Sequence, residues 1–392
     1  MKHLQKYILF FSILLLASSC RKENPDLNKP EDYIEGNFSE VFDSYWNGMN
    51  NNYVFWDIDT TNWDRVYDTY KPLFAKLNLY DSSDVVKGYG YFQEMTAGLI
   101  DSHYDISFKD SWLADQPSIN PAYQRKVKQP DYHIPISIFN FYRTIPKKYL
   151  DAGSAVRGFT NTADRQYVAV TGRINQDILY FFCSAFNLKS LYENNDPANG
   201  VKPVLQAFFD NLKNTKNIKG VIIDVRGNGG GSLADLNFLM GKLVDKQVDF
   251  GQTRSKLSNG RLDYSPWAPA FVTPSPDGRN ITAPIIALAD SWSVSMAELT
   301  TMVIKSLPNG HFIGERTWGG NGPLTANKMY NGGQFSTSFL NLVYTSSLIF
   351  KYRDGNIYEG IGFPPDQEVK YDKAALDLEQ DKQLEAALKL IR

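Results

Sequence analysis

Cysteine and histidine are scarce in this chain of 392 residues, which has two of the first and four of the second. Two cysteines cannot build the disulfide framework of a small secreted domain, and Cys20 and Cys183 have no spacing that suggests a pair. Cys183 falls in the apolar stretch 178–185 and is expected to be buried and inert. No Cys, His, Asp and Glu run has metal-ligand spacing, so neither a metal nor another cofactor is expected. Charge of one sign is also lacking: 41 Lys and Arg stand against 43 Asp and Glu, a net charge of −2. That balance gives no basic field for nucleic acid. The glycine-rich RGNGGGS at 226–232 lacks the lysine and spacing of a phosphate loop, and no internal repeat is present. The length exceeds one small domain.

Long hydrophobic runs are absent except near the start. Lys2, His3 and Lys6 precede the apolar residues 7–17, a run too short to span a bilayer and flanked like a secretory signal. The run ends in ASSC. Small residues directly before Cys20 look like a bacterial lipobox, so Cys20 is expected to carry lipid and to become the first mature residue. Residues 1–19 are then the signal peptide and 20–37 a polar tether without periodicity. The expected location is that of an exported bacterial lipoprotein on the outer membrane, at its periplasmic face or on the cell surface, with the membrane contacted through the lipid.

What the chain does have is two strand-to-helix elbows. Residues 285–289 read as a short buried strand, and Leu299, Met302, Val303 and Leu307 recur behind it at helical spacing until Pro308, Asn309 and Gly310. Between them lies DSWSVS. Serines before helices are usually caps and turn residues, yet a serine at the head of such a helix also sits where free N–H groups and the helix dipole favour developing negative charge. Ser295 is the candidate nucleophile. Residues 218–225 form a second strand pattern that runs into RGNGGGS, followed by a helix marked by Leu236, Leu239, Met240 and Leu243. Gly229, Gly230 and Gly231 permit positive φ and close backbone approach, so their N–H groups can form a nest for an oxyanion.

Asp224, Arg226, Asn228, Gly229 and Gly230 in DVRGNGG, with Ser293, Ser295, Ala297 and Glu298 in SVSMAE, resemble the serine peptidase family of the carboxyl-terminal processing proteases and the tricorn core protease. The resemblance covers most of the chain from Phe38 onward. It implies an α/β fold with a crotonase-like or Clp-protease-like spiral core behind an N-terminal helical bundle, and peptides or unfolded proteins as substrates. It places the nucleophile at Ser295 and the oxyanion donors at the N–H of Met296 and of Gly229 or Gly230. The family's processing branch uses a lysine base at the end of the segment matching GERTWGG; here that position is Gly320, and the nearest later lysine, Lys328, is displaced. The tricorn-like branch uses a histidine preceded by a serine, matched by Ser102 and His103 in DSHY, and a late glutamate, matched by Glu359 in EGIGFPPD. In that branch Glu359 is expected to orient Ser102, and Ser102 to hold the His103 imidazole. His133 and His311 lack a partner motif and read as structural or exposed.

The organisation expected is a helical bundle over 38–105, an irregular or β linking region over 106–175 without a clear PDZ module, and a catalytic core over 176–392 closed by a helix at 376–391. The function expected is a lipid-anchored serine peptidase working through an acyl-enzyme. The alternative is a surface lipoprotein that captures peptides or glycans on a peptidase scaffold without cleaving them.

Overall fold

The computed structural model describes residues 34–257, 260–324 and 333–391; the leader, Cys20 and Lys328 lie outside them. Three helices come first: α1 (Phe38–Asn52), α2 (Trp63–Phe74) and α3 (Ser82–Thr96). Each starts on an Asn or Asp whose side chain accepts a first-turn N–H: Asn37 from Glu40 at 3.0 Å, Asn62 from Arg65 at 2.9 Å and Asp81 from Ser83 at 2.9 Å. These caps satisfy donors that the helix itself cannot. α1 buries Phe38, Val41, Phe42, Tyr45 and Met49, the three-and-four spacing of one helix face. Aromatic contacts then lock the bundle, with the Tyr45 and Phe92 rings edge to face at 5.0 Å and the Phe42 and Phe74 rings tilted at 5.2 Å.

The remaining principal elements are β1 (Asp105–Phe108), β2 (Val156–Asn161), β3 (Gln166–Ile174), β4 (Ile178–Cys183), α4 (Val201–Asn214), β5 (Gly220–Asp224), α5 (Ala234–Met240), β6 (Val248–Ser255), β7 (Ala268–Val272), β8 (Ile285–Ala289), α6 (Met296–Ser306), β9 (Gly310–Gly314), β10 (Gln334–Phe335), β11 (Leu340–Tyr344), β12 (Leu348–Tyr352), β13 (Gln367–Glu368), α7 (Lys373–Asp377) and α8 (Lys382–Ile391). A seven-stranded sheet has the order β13-β9-β8-β5-β4-β3-β2. Its first five strands are parallel and β3 and β2 are antiparallel. Every residue of β4, β5 and β8 is buried, as strands covered on both faces must be. Side chains from α4, α5 and α6, among them Phe208, Met240 and Val303, share one core with this sheet. Leu384, Ala387 and Leu388 of α8, with Phe141 and Ile145, form the core on the other face. Each such aliphatic or aromatic side chain stabilises by about 1.5–3 kcal/mol relative to exposure. Two small sheets, β1-β11-β10 and β12-β6-β7, complete the fold, and the first joins the core of the N-terminal helices through Ile106, Leu340 and Val343.

The seven-stranded sheet begins at Val156, ahead of the 176 boundary read from composition, because β2 and β3 form its antiparallel edge. The closing helix is two helices, α7 and α8. Glu379 adopts φ 60° between them, and the Asp381 carboxylate caps Leu384 at 3.0 Å while meeting Arg226 at 2.8 Å. Arg226 is wholly enclosed: it forks onto Asp224 at 2.9 and 2.5 Å and onto Asp381 at 2.8 and 2.9 Å. This pairing seats α8 directly behind the turn that leaves β5.

Candidate active site

The turn from β8 into α6 brings Ser295 to the head of α6 with φ 58° and ψ −117°. Those are the dihedrals of the first central residue of a type II′ turn, a position that glycine dominates. A serine there stores strain of about 1–3 kcal/mol. Surrounding bonds enforce it. The Ser295 N–H donates to Glu298 Oε2 at 3.0 Å, Val294 N–H to Asn228 O at 3.0 Å, and Ala297 N–H to Val294 O at 3.0 Å. Ser293 is structural: its Oγ donates to Val225 O at 2.8 Å and accepts the Asp290 N–H at 2.9 Å, which ties this elbow to the end of β5.

The glycine turn after β5 lies against Ser295. A Cβ on Gly230, where φ is 89°, would sit 2.7 Å from Ser295 Cβ and 2.8 Å from Val294 O, so only glycine permits the approach. The Gly230 N–H is engaged, donating to Asn228 Oδ1 at 2.8 Å. Among the described residues, no protein acceptor takes the N–H of Gly229 or of Met296. Of the donors expected from the sequence, Gly229 and Met296 therefore remain open to an oxyanion and Gly230 does not.

The segment ahead of β1 carries Ser102 and His103. His103 is pushed down to about 4 by burial, which keeps its imidazole neutral at ordinary pH. Glu359 is buried beside it and accepts two main-chain N–H groups, from Ser102 at 2.8 Å and from Gly322 at 2.7 Å. The Ser102 hydroxyl turns away and donates to Gly319 O at 2.7 Å. The expected relay of Glu359 to the Ser102 hydroxyl to the imidazole is thus not formed; Glu359 holds the backbone of Ser102 instead. What meets His103 Nδ1 is Ser346 Oγ at 3.2 Å, and Ser346 Oγ donates to Asp101 Oδ1 at 2.9 Å. Burial pushes Asp101 up to about 6, and burial followed by the Asp101 charge holds Glu359 well above the usual carboxylate range. Ligand-type atoms of Asp101, His103 and Glu359 lie within 4.8 Å of one another. All four carboxylate oxygens nevertheless already accept N–H or O–H donors, the pattern of a hydrogen-bonded acid–base set.

Glu298 joins the elbow to the GERTWGG loop. Its buried carboxylate accepts from Thr317 Oγ1 at 2.6 Å, Gly319 N at 2.9 Å and Gly320 N at 2.7 Å, besides the Ser295 N–H. At Gly320 a Cβ would stand 3.0 Å from Val294 Cγ1 and 3.2 Å from Ser102 Cβ. The histidine-bearing segment therefore fills the side from which a lysine would have to reach. His133, which the sequence left without a partner, is half-buried and pairs with Glu315 Oε2 at 2.8 Å while stacking on Tyr371 at 4.0 Å. Burial alone would lower its pKa, but the Glu315 hydrogen bond leaves it raised. A cavity of about 160 Å³ reaches Ser102 and is walled by Trp318 and Lys126, whose ammonium lies 5.3 Å over the Trp318 ring.

Comparison with known proteins places relatives along the chain. Residues 184–369 match peptidase family S41, and residues 35–82 match the tricorn protease C1 domain. The tricorn protease of Thermoplasma acidophilum is 29% identical over 168 residues, which is 43% of this chain but 13% of that protein. The nisin-resistance protein of Lactococcus lactis subsp. lactis is 28% identical over 176 residues, covering 43% of this chain and 52% of that one. The chain thus spans about half or less of these relatives' length. In fold, the crystal structure of a candidate peptidase from Parabacteroides merdae matches with a TM-score of 0.64 at 23% identity, over 91% of this chain and 97% of that one. Mature CPAF in complex with lactacystin matches with a TM-score of 0.59 at 10% identity, over 91% and 97%. Residues 184–369 are thus similar to peptidase family S41, and the segment ahead of them is similar to the tricorn protease C1 domain.

Proposed function

We propose that the chain hydrolyses peptide bonds through an acyl-enzyme on Ser295, with His103 as general base. Oγ of Ser295 attacks the carbonyl carbon as its proton passes to Nε2 of His103. The oxyanion that forms is met by the N–H groups of Met296 and Gly229, a contribution of about 3 kcal/mol per donor in related chemistry. The imidazolium returns the proton to the leaving amine, and a water deprotonated by His103 then releases the acid and frees Ser295. The observation that carries this reading is the strained Ser295 at the head of α6, beside a Met296 N–H that meets no protein acceptor among the described residues. Glu359 supports the site by fixing the main chain of Ser102 and Gly322.

The test is labelling by a fluorophosphonate together with turnover of casein. Both are expected in the native sequence, both should vanish in Ser295→Ala, and His103→Ala should lower kcat by at least about a hundredfold. A folded protein that neither labels at Ser295 nor cleaves casein would be a peptide- or glycan-capturing scaffold. The protein is further proposed to be an exported lipoprotein of the outer membrane, held by lipid on Cys20. Cys20→Ser should move it to the soluble fraction, and retention in salt-washed membranes would overturn the anchor.

A further inference from the structure

A general base works only when its ring presents the unprotonated nitrogen to the nucleophile. The hydroxyl that precedes His103 does not set this, because Ser102 Oγ donates to Gly319 O at 2.7 Å. Two other side chains occupy that place. Ser346 is fully buried in the short connection between β11 and β12. Its Oγ lies 2.9 Å from Asp101 Oδ1, 3.2 Å from His103 Nδ1 and 3.3 Å from Gly322 O. A hydroxyl has one proton to give. The carboxylate is the nearest and strongest acceptor of the three, so the O–H bond goes to Asp101. The remaining lone pairs can only accept, and the imidazole must then offer Nδ1–H and leave its lone pair on Nε2.

Asp101 is built to hold this arrangement. Besides the Ser346 hydroxyl, Oδ1 accepts the backbone N–H of His103 at 2.9 Å, and Oδ2 accepts the backbone N–H of Ser346 at 2.7 Å. One carboxylate thereby fixes the main chain of the base and both polar groups of the residue that meets its ring. The seat is closed from the far side: a Cβ on Gly322 would lie 2.6 Å from Ser346 Oγ and 2.9 Å from Phe55 Cζ. The other groups facing the cluster are Glu359, occupied by the N–H groups of Ser102 and Gly322, and Tyr53, whose oxygen accepts the Asp101 N–H at 3.3 Å while its O–H donates to Asp59.

We propose that Ser346 and Asp101 are the positioning pair of His103, forming the chain Nδ1–H to Ser346 Oγ to Asp101 Oδ1 in place of a relay through the Ser102 hydroxyl. The proposal rests on the reading of His103 as base, and its test is chosen to separate the two. Long-range proton–nitrogen correlation spectra of the full chain labelled with ¹⁵N-histidine report the tautomer of each ring, and His103→Gln assigns the signal. The Nδ1–H form is expected for His103 in the native sequence and should be lost or mixed in Ser346→Ala. In casein turnover, Ser346→Ala should lower kcat about tenfold to a hundredfold with KM within about twofold, the signature of an interaction that matters in the transition state. Ser102→Ala should lower kcat less than Ser346→Ala does, since its hydroxyl donates to the Gly319 carbonyl and not to the imidazole.

An Nε2–H ring in the native protein overturns the proposal, and so does a Ser346→Ala enzyme with native kcat beside a crippled Ser102→Ala. If casein is untouched by the native protein while the tautomer still depends on Ser346, the peptidase reading fails and the positioning pair stands.

Discussion

Replacing the proposed nucleophile by glycine should leave the protein at least as stable as replacing it by alanine, although glycine normally weakens a fold. Ser295 holds φ 58° and ψ −117°. Alanine must keep that geometry, with its strain of about 1–3 kcal/mol, whereas glycine occupies it freely. Against this, glycine forfeits about 0.5–1 kcal/mol through the larger entropy of its unfolded chain. It also loses the packing of one partly buried methyl, about 0.5–0.8 kcal/mol. Taking the middle of each range, Ser295→Gly should exceed Ser295→Ala by about 0.5–1 kcal/mol. Ala297, two residues on, is buried in α6 and provides the control, because Ala297→Gly has no strain to release and should cost about 1–2 kcal/mol. Denaturant unfolding of the three variants and the parent reads the difference, and the inactive pair removes self-cleavage as a complication. If Ser295→Gly falls below Ser295→Ala by as much as Ala297→Gly falls below the parent, Ser295 is not strained and the elbow argument collapses.

Other consequences are equally direct. Arg226→Met should destabilise by about 3–5 kcal/mol in the same assay, because it leaves the carboxylates of Asp224 and Asp381 buried without their cation; adding Asp224→Asn and Asp381→Asn should recover part of the loss. The His133 and Glu315 pair sets a pH window. The His133 value is raised above its ordinary 6.5, so its contribution is full below that pH and lost as pH rises through the raised value. Glu315 is lowered from 4.5, so its contribution is present above that pH and lost as pH falls further. His133→Gln should therefore cost about 1–2 kcal/mol between roughly pH 4.5 and 6.5 and little in alkaline buffer, and an equal cost at pH 9 would refute the pairing. For kcat/KM, the acid limb should fall as pH drops through about 6, where Asp101 gains a proton, and not first near 4, where His103 does. A profile that stays flat down to pH 4.5 would remove Asp101 from the reaction.

The parts of this fold that the sequence discloses are those whose cause is local. The strand at 285–289 is bounded as its apolar run indicates, and the spacing of Leu299, Met302 and Val303 gives α6, because period and burial are read over neighbouring residues. Where a distant partner intervenes, the reading slips. The periodic pattern at 376–391 suggests one helix, but Asp381 is drawn to Arg226, 155 positions away, and the chain breaks between α7 and α8. β2 was illegible for a different reason: as an edge strand it buries only Gly158 and Thr160, neither of them a hydrophobic signal.

The site divides in the same way. Asn228 two residues before Gly230 is a local turn pattern, and its acceptance of the Gly230 N–H could have been anticipated from the Asn-Gly pair, which would have singled out Gly229 from the start. Ser346 could not have been. It lies 243 positions from His103 and 245 from Asp101, in a TSSL run that resembles any strand connection. A motif also gives a residue's identity without the direction of its hydroxyl. At Ser102 that direction follows from Glu298, which draws the N–H groups of Gly319 and Gly320 toward the Ser295 elbow while the Gly319 carbonyl meets Ser102 Oγ. The acid that braces Ser295 thus also engages the loop that occupies the Ser102 hydroxyl, and the His103 imidazole is left to a serine that only the folded chain brings near.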